Sequence, residues 1–248
     1  MEALLPPEVS PLVAAGLMAA SFIASLITAA FGIGGGIVMI AILASLLPPS
    51  ALIPVHAVVQ VGSNAGRALI MRAHIDWPTW GAFLIGTAVG VAIGGVVAID
   101  LPAAWIQIGI GLFVLWTIFF KPPGALRHSA WLAGGISSVL TMFFGATGPF
   151  VAAYLKTRRY DRMTQVAMQG ACMTAQHLLK AVAFGVLGFG FGPYVLLVAG
   201  LIAFGFLGTL AGKRVLMKID EARFRAILNA ILVALSLRLI WAGSSALV

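Results

Sequence analysis

Long apolar runs alternate with short polar punctuation along the chain, and the runs fall into eight segments: about 12–47, 52–71, 78–99, 103–120, 129–155, 163–188, 192–212 and 223–243. A membrane-spanning helix needs about 20 consecutive apolar residues. Segment 12–47 is too long for one ordinary crossing and carries Phe31-Gly32-Ile33-Gly34-Gly35-Gly36 near its centre. It reads as helix, break, helix. Phe144-Gly145-Ala146-Thr147-Gly148-Pro149 echoes that stretch inside segment 129–155, with Phe31 matching Phe144 and Gly35 matching Gly148 at one constant offset. Lipid offers no water to a freed amide or carbonyl, so broken backbone persists at membrane depth only against protein or a solvated cavity. The two breaks are therefore the first candidates for a substrate site.

Composition agrees with this pattern. Of 248 residues, 61% are hydrophobic and 9% charged, far from the usage of a soluble globular domain. The formal charge of +8 would suggest nucleic acid in a soluble chain. Here the basic residues cluster in short connections, where they orient a membrane protein, and no nucleic-acid partner is implied. The acidic N-terminus, with Glu2 and Glu8, lacks the positive n-region of a signal peptide and reads as mature protein. The single Cys172 has no second cysteine for an intrachain disulfide or thiolate metal site, and reads as a small core residue. No metal or other cofactor is implied.

All of the 15 basic residues except Lys180 and Arg238 fall at four places: Arg67 and Arg72; Lys121 and Arg127; Lys156 to Arg162; and Lys213 to Arg225. Lys and Arg accumulate on the cytoplasmic side, so these connections are expected inside, and the Lys- and Arg-free connections 99–102 and 188–192 outside. Both flanks of segment 129–155 are then cytoplasmic, and that segment must be a hairpin. The same logic makes 12–47 a hairpin entered from outside, with both termini of the chain outside. The chain divides into two halves, 1–122 and 123–248, each a broken-helix hairpin plus three transmembrane helices. Three is odd, so the second half is inverted. The predicted fold class is an all-α polytopic membrane protein of two inverted-topology repeats, a layout of many secondary transporters, with substrate at the repeat interface. A topology with the N-terminus inside and a fully crossing first segment competes, but leaves the second half unexplained.

The glycines permit positive φ and close backbone approach, and each restarted helix offers unpaired N–H groups and a positive dipole end, which suits an anion. Pro149 fits the first turn of such a restart. Small residues packing helices together are the alternative explanation. No Lys follows the glycines and no strand precedes them, which argues against a nucleotide-phosphate loop. Behind the first break, His56, Gln60, Asn64 and Arg67 share one helix face; behind the second, Gln165, Gln169, Cys172, Gln176 and Lys180 do, with His177 beside them. Polar faces within spans turn toward the bundle interior or a wet cavity. Arg67, near the cytoplasmic end, reads mainly as an anchor, whereas Lys180 needs an anion or a route to water. His56 and His177 are candidates for proton-linked roles, with hydrogen-bonded core histidines as the alternative.

All seven Asp and Glu lie at termini or in connections. That absence from the spans argues against a cation carrier, whose site would include an intramembrane carboxylate. No nucleophile–base pair or metal-ligand cluster is apparent, so an enzyme is not expected. The expected substrate-binding set is Gly34, Gly35, Gly36, Gln60, Asn64, Gly145, Thr147, Gly148, Gln169, Gln176 and Lys180. The partners are a small anion and the lipid bilayer, and a homodimer is compatible with the sequence.

With its two glycine-bearing breaks and the Gln- and Asn-bearing helices that follow them, the whole chain resembles the TauE/SafE family of sulfite exporters. The resemblance implies export of sulfite or a small organosulfonate across the cytoplasmic (inner) membrane. An anion channel, or a carrier of another small oxyanion or carboxylate, would use the same positive dipoles.

Overall fold

The computed structural model describes residues 5–31, 34–98, 102–120, 129–215 and 221–247. Among these the chain is helical, with ten α-helices: α1 (Pro11–Phe31), α2 (Gly35–Leu46), α3 (Pro49–Ile70), α4 (Trp77–Ala98), α5 (Ala103–Phe119), α6 (Ala130–Phe144), α7 (Gly148–Thr157), α8 (Arg162–Val186), α9 (Val195–Val215) and α10 (Glu221–Ser245). Each predicted segment is a helix, and the two broken segments each form a pair, α1 with α2 and α6 with α7. Basic Lys121, Arg127 and Lys218, and Gly32 and Ile33 of the first break, lie outside the described residues.

Three stretches, Pro11–Ala29, Trp77–Val96 and Gly192–Gly212, are by themselves long and apolar enough to cross a membrane. Helices α3 and α8 have the length, at 22 and 25 residues, but their polar stripes keep them out of that set. Where side chains point explains why. Large apolar side chains face outward, including Ile85, Ile93, Leu112, Val182, Phe204 and Trp241, while His56, Asn64, Ser138, Thr141, Gln176 and Lys180 are buried. An apolar exterior around a polar interior is stable where the surrounding solvent is lipid.

Helices α3 and α8 pack on each other through the centre. Around them α4 lies against α6, α1 against α9, and α5 against α10. Two of these contacts are backbone-close: a Cβ at Gly90 would lie 2.2 Å from the Gly135 carbonyl oxygen, and one at Gly208 2.0 Å from that of Phe22. Only glycine lets the axes come so near. With no hydrophobic drive between helices in lipid, such close van der Waals packing is what holds them together. One apolar core joins α1, α2, α3, α5, α9 and α10, and a second joins α4, α6, α7 and α8. Phe113 and Trp116 of α5 stack on Phe144 and Phe150, which flank the second break, at centroid distances of 4.8 Å for Phe113–Phe144 and 4.9 Å for Trp116–Phe150.

Candidate functional site

Both breaks turn on a glycine in the left-handed region. Gly34 has φ 107° and caps α2; Gly145 has φ 79° and ends α6. A side chain there would be strained, because its Cβ approaches a carbonyl oxygen. The first amides of α2 and α7 have no carbonyl four residues back within their own helix. The helix dipole adds positive potential at the same ends.

The two restarts meet. A cavity of about 30 Å³, room for water-sized groups, is bordered by Gly34, Gly36 and Ile37 of the first break and by Ala146, Gly148 and Pro149 of the second. Gln60, Asn64 and Arg67 of α3 close it on one side, and Gln169, Met173 and His177 of α8 on the other. Of the residues expected from sequence, Gly34, Gly36, Gln60, Asn64, Gly148, Gln169 and His177 are brought together around this space.

The remaining expected residues stand behind it. Gly35 packs into α1, where a Cβ would lie 1.8 Å from the Ala24 carbonyl oxygen. Thr147 donates to Gln176 Oε1 at 2.8 Å, and Gln176 Nε2 donates to Ser137 and Ser138, each at 2.9 Å. Lys180 is fully buried, with Nζ donating to the Gly145 carbonyl at 2.9 Å and to Thr141 Oγ1 at 3.2 Å. It does not reach outward along its helix. Its ammonium sits at the C-terminal end of α6, the negative pole of that dipole, where a cation is stabilised.

Arg67 was expected to be an anchor, and the structure gives it more to do. Its guanidinium donates to the Thr28 carbonyl at 3.3 Å, in the last turn of α1, and to Asn64 Oδ1 at 2.5 Å. Its Nε is buried with no partner among the described residues. Asn64 in turn donates to the Gln60 carbonyl at 2.8 Å and to Gln60 Oε1 at 3.2 Å. A polar chain therefore runs along α3 from the first break to Arg67. Sequence reasoning missed Arg67 and Thr28 as site residues. A signal was available: the offset relating Phe31 to Phe144 also relates Arg67 to Lys180 and Thr28 to Thr141.

The histidines lie beside the cavity with ring centroids 5.5 Å apart, edge to face. His56 Nε2 donates to the Gly36 carbonyl at 3.1 Å, and its Nδ1 has no partner among the described residues. Gln169 Nε2 makes the matching bond to the Gly148 carbonyl at 3.2 Å, and its Oε1 has no partner among the described residues. Each restarted helix is thus held by one side chain at its first-turn carbonyl.

No cluster of three or more His, Cys, Asp or Glu suited to a metal occurs among the described residues. What the geometry defines is a helical membrane protein with a small buried site built from two helix N-termini, amides and a guanidinium. The family model described as sulfite exporter TauE/SafE matches residues 17–239, and the chain belongs to that family of membrane transporters. No curated protein and no solved structure matches the chain significantly.

Proposed function

We propose that the protein is a secondary transporter exporting a small sulfur-containing anion, sulfite or an organosulfonate, across the cytoplasmic membrane by alternating access. The observation that carries this reading is a cavity bordered by both helix breaks, through Gly36 and Gly148, and by Arg67. The anion is held by restart N–H groups, the Gln60 and Asn64 amides and the Arg67 guanidinium. Lys180 contributes from behind, by stabilising the second break. The His56–His177 pair is the candidate for coupling to protons.

Two inverted repeats, 1–122 and 123–248, supply the moving parts. Helix pairing supports them: exchanging α1–α5 for α6–α10 in order turns the α4–α6 contact into α9–α1, and returns α3–α8 and α5–α10 to themselves. Side chains support them too. Ser25 meets Ser63 at 3.3 Å, and at the same offset as before Ser138 meets Gln176. Rocking one half on the other would open the cavity to alternate sides. Both termini are then outside, and the basic connections cytoplasmic. An anion leaving a negative cytoplasm gains about 2.3 kcal/mol per charge per 100 mV, so the membrane potential is a driving force alternative to proton coupling.

The reading is tested by sulfite exchange in proteoliposomes. Saturable sulfite flux that is absent from empty vesicles is expected. Unsaturable flux orders of magnitude faster, with a conductance in planar bilayers, would indicate a channel, and no flux would refute transport of this class.

A further inference from the structure

The paired histidines are surrounded by cations and by no acid. His56 and His177 are buried, at 0% and 1% exposure, with the edge-to-face contact already described. Nδ1 of each ring has no partner among the described residues. Imidazoles kept only for packing would have those nitrogens satisfied, because an unpaired buried polar atom is costly. Since His56 Nε2 carries the proton given to Gly36, its Nδ1 is a bare lone pair; a neutral His177 has one bare nitrogen in either tautomer. Of the two rings, His177 is the one that borders the cavity between the breaks.

The ionisable groups around His177 are His56 and Arg67 from α3 and Lys180 one turn further along α8. Lys180 is close enough to act electrostatically on both rings. Helices α2, α4, α5 and α6 carry no ionisable side chain, and Cys172 of α8 packs in the second apolar core. A proton added to the pair therefore stands beside cations with no carboxylate to balance it, and like charges at this spacing exclude a second proton. The negative charge that can balance it is that of an anion in the cavity. Two ligands of opposite charge in one buried site strengthen each other's binding by the same factor.

Resting on the export reading above, we propose that the anion binds together with one proton, held on the His56–His177 pair with His177 facing the anion, so that the coupling is cotransport of proton and anion and not their exchange.

The test is radiolabelled sulfite exchange in proteoliposomes at equal pH on both sides, for wild type and for His177→Gln, whose side chain is polar but does not titrate. Sulfite's own titration is common to both proteins and cancels in the ratio of their KM values. That ratio, variant over wild type, should be about tenfold near pH 6, within the range for coupled sites, and approach one near pH 8.5, where the wild-type pair has lost its proton. A ratio independent of pH, as for a histidine that only packs, overturns the proposal and leaves sulfite export standing. So does a ratio that grows with pH, as for exchange of proton against anion. Should His177→Gln fail to fold, the wild type decides: nitrogen-15 NMR of histidine-labelled protein in nanodiscs at pH 7.5 should show sulfite, and not chloride, converting one buried ring from imidazole to imidazolium. Both buried rings staying imidazole under saturating sulfite, or responding equally to chloride, overturns the proposal. Absence of sulfite exchange by wild type at every pH defeats the export reading itself, and the proton proposal with it.

Discussion

The two breaks are built on the same plan and finished differently. In each, a cation from the helix behind reaches the C-terminal end of the first half-helix: Arg67 to the Thr28 carbonyl, Lys180 to the Gly145 carbonyl and Thr141. Both cations thereby sit at negative dipole poles, while the positive poles of α2 and α7 are left facing the cavity. The second break is locked. Lys180, Gln176, Ser137, Ser138, Thr141 and Thr147 are buried and bonded to one another or to nearby backbone, and Phe113 and Trp116 stack over it. The first break keeps one unpaired donor among the described residues, Arg67 Nε, on a partly buried side chain that borders two cavities. On the proposed reading the duplicated motif divides its labour between the two cations, with Lys180 bracing one break and Arg67 meeting the anion that lies between both.

The sharpest way to break this comparison is to swap the cations' fates. Arg67→Gln removes a charged donor from the anion, an interaction worth about 1.5–3 kcal/mol, so sulfite kcat/KM in proteoliposomes should fall roughly 10- to 100-fold. Melting temperature should also fall, by the equivalent of about 1.5 kcal/mol for the lost charged bonds to Thr28 and Asn64. Gly145→Ala acts on the locked side, where positive φ costs about 1–2 kcal/mol for an L residue. A Cβ there would also lie 2.6 Å from Ile40 Cδ1, so a clear loss of melting temperature is expected.

Lys180→Met should cost about 1.5 kcal/mol of stability as the charged bond is lost. Its effect on sulfite affinity should be far smaller than that of Arg67→Gln. Equal losses of affinity for the two variants would mean that both cations touch the anion and that the division of labour is wrong.

The smallest expected effect lies in the connections. Asp76 caps α4 through Thr79, and its Oδ2 accepts from Tyr160 OH, tying the α3–α4 connection to the one between α7 and α8. The bonds from Tyr160 and then Thr79 hold its carboxyl below the ordinary 3.8. A carboxylate with a depressed pKa stabilises the fold fully above its unfolded value, and that contribution fades as pH falls through the lower folded value. Asp76→Ala should therefore lower the melting temperature at pH 6, by the equivalent of about 1 kcal/mol for a lost cap. The difference from wild type should shrink near pH 3.

Much of this arrangement was legible beforehand because lipid makes sequence literal. Apolar runs had to be helices, and a polar stripe such as Gln60–Asn64 had to face inward, since neither has another way to satisfy its backbone or side chains. The breaks announced themselves through Gly34 and Gly145, whose conformations other residues rarely adopt. What stayed hidden depends on side-chain reach. Arg67 lies in the last turns of α3, beside a basic connection, where positive-inside logic alone accounts for it. Only the fold shows its guanidinium turned back to Thr28 and Asn64. Lys180 is the converse case. Its place on the polar stripe suggested a ligand for the anion, yet the nearest carbonyl left by the broken helix claims it first.

The central claim, that one anion sits between both breaks, is tested most directly by hydrogen–deuterium exchange of peptides covering Gly34–Ile37 and Ala146–Val151, with sulfite against chloride. Slower exchange at both breaks, lost in Arg67→Gln, is the predicted result. Protection at one break alone, or at neither while sulfite is transported, would contradict a shared site.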